Sequence, residues 1–153
     1  MAPTAGVWFG VDVGTVRVGV ARSDPRGVLA VPVTTLVRDT RRGSDLAQLQ
    51  ELMKQHEAVG VVIGLPITLA GRQGASTVMA QSYGRLLAAR IAPIPIVYVD
   101  ERHSTVTAAR TLSGLGVRGR AGRAVIDQVA AVEILQRWLD SASDHDARAA
   151  EDE

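Results

Sequence analysis

Residues 7–21, VWFGVDVGTVRVGVA, decide the fold. Val7–Val13 is apolar except for Asp12, Gly14-Thr15 marks a turn, and Val16–Ala21 alternates again. Apolar and β-branched runs separated by a small-residue turn form a hairpin. Asp24-Pro25-Arg26-Gly27 is a second turn signal, and Val28–Val33 supplies a third strand. The chain therefore opens as an antiparallel meander.

Outward from the meander the period changes. Leu46, Leu49, Leu52 and Met53 recur at helical spacing, with Ser44 or Asp45 as N-cap. Val59–Ile63 is wholly apolar, as a strand buried on both faces should be, and Gly64-Leu65-Pro66 closes it. A Gly-rich loop over 67–75 carries Arg72, and Ser76 or Thr77 caps a helix to about Ile91. Ile94–Val99 reads as a fifth strand. Ser104 caps a short helix to about Ser113, and residues 114–123 are rich in Gly and Arg. Ala124–Ala142 is a last amphipathic helix, with Ile126, Val129, Ala130, Ile134 and Trp138 as its apolar stripe. A meander followed by strand–helix units predicts an α/β protein: a mixed five-stranded sheet with helices on both faces. Sheet order 3-2-1-4-5 is the simplest solution. It sets the first, fourth and fifth strands side by side, so that their C-terminal ends share a site.

Composition narrows the function. At 153 residues, 46% apolar and 22% charged, the chain is a single globular domain. Residues 1–142 are expected to form it, and 143–153 an acidic, disordered tail. The longest uncharged run, Ala58–Gly71, is too short for a membrane span, and the N-terminus has no secretory pattern, so a cytoplasmic location is expected. Without cysteine there are no disulfides, zinc–thiolate sites or thiol nucleophiles. The net charge of +1 conceals an acidic stretch over 140–153, with six acids against Arg148, and a basic body. Sixteen of seventeen bases are arginine, the side chain suited to bidentate phosphate contact.

At three places acids stand where acids are costly. Asp12 lies within an apolar strand between Gly10 and Gly14, and a buried carboxylate needs a partner or a cation. Asp100 and Glu101 end the fifth strand. Alternation lets only one of them point towards Asp12, and Glu101 has the longer reach. Asp127 falls in the first turn of the last helix, beside apolar neighbours. Carboxylates from a central strand, a strand end and a helix start are the donors that Mg2+ or Mn2+ takes. Two such ions can activate water and stabilise the leaving oxygen of a phosphodiester. Arg102, Arg118, Arg120, Arg123 and Arg72 are candidates to hold phosphates near these acids. Aromatic residues, at 3%, are too few for a base-stacking platform.

Four segments, "GVDVGTVRVGVARSD" (10–24), "VVIGLPITLAGRQG" (61–74), "VDERHST" (99–105) and "AVIDQVAAVEILQRWL" (124–139), resemble in this order the signatures of the YqgF/RuvX family. The resemblance implies the RNase H-like fold of the RuvC resolvases. It implies a nuclease maturing the 5′ end of precursor 16S rRNA or, alternatively, resolving Holliday junctions in DNA. It puts the catalytic, metal-binding acids on Asp12, Glu101 and Asp127, with Asp100 the neighbouring alternative. RuvC has a further acid three residues after the helix aspartate, where this chain has Ala130. The expected partner is nucleic acid, precursor rRNA or branched DNA, bound by a monomer or a homodimer. Two rivals compete. "DVGT" also resembles the phosphate-binding hairpin of the actin and sugar-kinase superfamily, whose enzymes close two such domains over a nucleotide. A nucleic-acid-binding module without chemistry would bind and not cut.

Overall fold

A computed structural model of the chain describes residues 5–66, 74–101 and 120–151. Its elements are β1 (Val7–Val13), β2 (Arg17–Ser23), β3 (Ala30–Val37), α1 (Ser44–Gln55), β4 (Ala58–Leu65), α2 (Ala75–Ile91), β5 (Ile96–Asp100) and α3 (Arg120–Glu151). They form one five-stranded sheet in the order β3-β2-β1-β4-β5, as the sequence predicts. β1, β2 and β3 are antiparallel, whereas β4 pairs in parallel with both β1 and β5. The C-terminal ends of β1, β3, β4 and β5 therefore meet at one edge.

Alternation along the strands sorts the core into two layers. Phe9, Val11, Val13, Val61 and Ile63 face α1 and α2, with Leu46, Leu49, Tyr83 and Leu87. Trp8, Ala21 and Val62 face α3, with Ala131, Ile134, Leu135 and Leu139. The predicted helices thus cover both faces. Trp8 and Trp138 pack with ring centroids 4.2 Å apart and planes tilted by 44°, and belong to this second layer.

Several boundaries move, each for a local reason. The third strand begins at Ala30 rather than Val28, because the Asp24 carboxylate takes the N–H groups of Val28 and Leu29 at 2.8 and 2.9 Å and holds them in the turn. It continues to Val37 on an edge, with the register shift beside Pro32 that a residue lacking an N–H donor requires. Neither Ser44 nor Asp45 caps α1. The cap position is Gly43, in the left-handed conformation, and the Asp39 carboxylate receives the N–H of Ser44 from outside the helix. Gly74 caps α2, and Thr77, three residues in, accepts its N–H at 3.3 Å while donating to the Pro66 carbonyl.

The last helix departs furthest from expectation. It begins at Arg120 and continues to Glu151, through most of the stretch expected to be a disordered tail. After Gly122 no glycine or proline interrupts it, and Ala147, Arg148, Ala149 and Ala150 are good helix formers. Its buried stripe is Ala130, Ala131, Ile134, Leu135 and Leu139, whereas the predicted stripe member Val129 is exposed. The predicted short helix at 104–113 lies outside the described residues, as do Arg72, Arg102 and Arg118.

Candidate active site

Asp12 is set by β1, the central strand. It is 7% exposed and faces α3, two residues beyond Gly10, over which α3 packs so closely that a β-carbon there would lie 2.6 Å from Leu135 Cβ and 2.8 Å from the Ala131 carbonyl. Across the hairpin Asp12 pairs with Gly19 of β2. On the other side, Val11 is level with Ile63, so the next step brings Asp12 level with Gly64 of β4. A row of glycine, aspartate and glycine thus crosses the three central strands on the face that α3 covers.

Each glycine seats one of the other two acids. A β-carbon on Gly19 would run into the Asp127 backbone carbonyl. A β-carbon on Gly64 would lie 2.7 Å from the Glu101 carboxyl carbon and 2.7 Å from Ile134 Cδ1. Gly64 is paired with Val99, so the residue two beyond Val99 returns to the same face, and that residue is Glu101. Asp100 is level with Leu65 and points to the opposite layer, that of Ile96 and Tyr98. Alternation therefore separates the adjacent acids as the sequence suggests: Glu101, not Asp100, shares a face with Asp12.

Asp127 is brought to this face by the phase of α3. It stands one turn before Ala131 and two before Ile134, both buried against the sheet. Its carboxylate is committed to an ion pair, Oδ2 accepting from Arg17 Nε at 2.8 Å, with the two side chains 18% and 25% exposed. Arg17 was not among the residues singled out in the sequence. The available signal was its place in β2: two residues before Gly19, it projects from the face that carries Asp12.

The donor set is right in kind for a hard divalent cation, being all carboxylate oxygen on one face. Among the described residues, however, no group of three or more such side chains converges closely enough to hold an ion. Asp127 is turned to Arg17 instead. Of the expected phosphate-binding arginines, Arg123 is described and exposed, on the second turn of α3. Arg120 starts that helix.

A central-strand aspartate on a 3-2-1-4-5 mixed sheet, with the last helix laid across it, defines the RNase H-like class. Two solved structures of Thermus thermophilus RuvC share this fold. The one in complex with a Holliday junction substrate covers 90% of this chain and 96% of its own, at 14% identity and TM-score 0.55. The other covers 88% and 95%, at 15% identity and TM-score 0.52. The chain belongs to the RuvX family, described as Holliday junction resolvase, whose model matches residues 6–141. A Frankia casuarinae relative is 54% identical over 135 residues, 88% of this chain and 67% of its own length. A Mycolicibacterium smegmatis relative is 54% identical over 140 residues, 90% and 82% of the two chains. Both carry the name "Putative pre-16S rRNA nuclease".

Proposed function

We propose that this protein is a divalent-cation-dependent endonuclease acting on structured nucleic acid, with the 5′ end of precursor 16S rRNA as its substrate. The observation that carries the reading is the Gly19–Asp12–Gly64 row, which places three carboxylates on one face at the C-terminal edge of the sheet. Membership in the RuvX family and the names of its relatives supply the substrate class.

Each residue has a definite task in this reading. Asp12, Glu101 and Asp127 are the ligands of Mg2+ or Mn2+. Such an ion supplies charge neutralisation at the scissile phosphate and acidifies water. Asp12 is held by strand pairing with Gly19 and under α3, so its carboxylate needs little reorganisation to meet a ligand. Glu101, at the end of β5, comes from a strand terminus and so closes the site from its side. Arg17 balances Asp127 and adds positive charge beside the acids, where a phosphodiester must approach. Arg102, Arg118, Arg120, Arg123 and Arg72 extend the phosphate contacts, with Arg123 on the helix that carries Asp127.

The RuvX description and the RuvC fold favour a second reading, resolution of a four-way DNA junction. That reaction needs two sites about a two-fold axis and hence a homodimer, whereas a monomer suffices for rRNA trimming. The test is cleavage of a labelled precursor 16S rRNA 5′ fragment and of a four-way DNA junction, each with Mg2+, Mn2+ or chelator. The expected result is metal-dependent cutting of the RNA, lost in Asp12→Asn while folding and RNA binding persist. Cutting of the junction alone would select the second reading. Binding of either substrate without cutting would make the protein a non-catalytic module, and normal cutting by Asp12→Asn would refute the site.

A further inference from the structure

A second basic feature lies outside the three acids, at the same edge of the sheet. The loop that follows the C-terminal end of β3 folds against α2 and leaves a cleft of about 310 Å3, lined among others by Arg38, Arg41, Arg42, Arg90, Asp45 and Tyr83.

Its lining carries four arginines against two aspartates, Asp39 and Asp45, and so stays net positive. Asp39, itself part of the lining, accepts the backbone N–H groups of Arg41, Arg42 and Ser44 at 3.2, 3.0 and 3.2 Å. Those bonds hold its pKa below the ordinary carboxylate value and fix the loop's shape. Asp45 is buried. Its Oδ1 accepts from the Asp39 N–H at 3.3 Å and its Oδ2 faces Arg38 Nε at 3.8 Å. Among the described residues the Arg90 guanidinium donates to the Gln50 side-chain oxygen, at 3.4 Å. The guanidinium groups of Arg41 and Arg42 are exposed and pair with no carboxylate among the described residues.

Tyr83, only 2% exposed, also lines the cleft, and its hydroxyl lies beside the buried Asp45 carboxylate. Burial first, then the charge of the Asp45 carboxylate and a hydrogen bond to it, push its pKa up, so it keeps its proton.

The cleft is also tied to the acids. Arg38 donates to the Gly14 carbonyl at 2.9 Å, and its N–H bonds the Val16 carbonyl at 2.8 Å. Gly14 is two residues past Asp12, in the turn that leads to Arg17. One short turn therefore links the candidate active site to the cleft.

We propose that this cleft is a phosphate site for the substrate strand, flanking the point of cleavage. Arg41, Arg42 and Arg90 are its anion ligands. The proposal rests on the nuclease reading above for the identity of the strand, while the phosphate chemistry follows from the cleft alone.

The test uses the full chain with Asp12→Asn as the parent, so that nothing is cut, and the precursor rRNA fragment as probe. In that parent, R41A/R42A and, separately, R90A should each weaken RNA binding several-fold. The salt slope of log K should flatten by about 0.7 to 0.9 per lost contact. With Asp12 restored, KM should rise more than kcat falls. These arginines are surface residues, so an unchanged melting temperature serves as the folding control. Unchanged affinity and salt slope would overturn the proposal. A second arm titrates inorganic phosphate and a nucleoside monophosphate and reads thermal stabilisation. Stabilisation that the arginine variants lose, with RNA affinity intact, would assign the cleft to a free phosphate and likewise overturn it. Failure of the wild-type chain to cut RNA would count against the nuclease reading instead, because the binding arm does not depend on cleavage.

Discussion

The guanidinium of Arg17 and the carboxylate of Asp127, 110 positions apart in the chain, meet at 2.8 Å across the hairpin and the last helix. The pair fastens α3 to β2 directly beside Asp12. It also means that Asp127 must exchange a cationic side chain for a cation if it is to bind one. Arg17→Ala should therefore tighten Mn2+ binding, read by calorimetry on the full chain. The same change should cost no more than about 1 kcal/mol of stability, since the pair is partly solvated. Looser or unchanged Mn2+ binding would show that Arg17 does not compete for Asp127.

The two glycines beside Asp12 leave room for the neighbouring acids, and enlarging either should displace one. Gly64→Ala places a methyl group 2.7 Å from the Glu101 carboxyl carbon. Cleavage should fall at least tenfold, with a raised metal requirement and a modest change in melting temperature. Gly19→Ala meets backbone rather than side chain, at the Asp127 carbonyl, and cannot be relieved by a rotamer change. It should reduce both activity and stability, the latter by about 1–3 kcal/mol. Near-normal kinetics in Gly64→Ala would dissociate Glu101 from the site.

How far this arrangement could be read from the sequence depends on the element. Strand patterning was legible, because a hairpin signal and a doubly apolar strand admit few topologies. The choice of Glu101 over Asp100 was legible too, since alternation is a rule of two. The phase of α3 was not. Ala124, Val125, Ala130, Ala131 and Val132 make the helix apolar over much of its girth, so Val129 fitted the stripe as well as Ala131 did. Only contact with Gly10 and Gly19 settles the rotation, and with it the direction of Asp127. The cleft beside α1 was equally hidden. Its arginines come from a loop and from α2, and nothing local says that they meet.

Two turns should make the fold acid-sensitive. Asp24 accepts the N–H groups of Val28 and Leu29, and Asp39 those of Arg41, Arg42 and Ser44. Both carboxyls titrate below their ordinary value for that reason. A folded-state pKa below the unfolded one contributes stability above the unfolded value, near pH 4, and loses it as pH falls through the lowered value. The melting temperature should therefore be insensitive to these groups from pH 7 to about 5 and decline below about 4. In the double variant Asp24→Asn, Asp39→Asn the decline should be shallower, from a lower starting point. An acid limb of identical steepness in both proteins would remove these two groups as its source.

The Trp8 ring lies over Gly60, so closely that a β-carbon there would run into its six-membered portion, and Trp138 packs against it in a tilted arrangement with centroids 4.2 Å apart. Trp8 is 6% exposed and its Nε1 finds no hydrogen-bond partner among the described residues. The ring is thus held by shape alone, in the layer that carries α3. Gly60→Ala should cost about 1–3 kcal/mol, the usual penalty of overpacking. Trp8→Phe should also destabilise, through lost contact with Trp138, but it removes ring atoms that a β-carbon on Gly60 would strike and it deletes the unpaired N–H. The two changes should therefore couple favourably. The double variant should be less destabilised than the separate losses predict, by about 0.5 kcal/mol or more. Denaturant unfolding of the four proteins in the cycle measures this directly. Additive losses would mean that the glycine is required for some reason other than the indole, and the packing of α3 would then have to be anchored elsewhere, at Gly10 and Leu135.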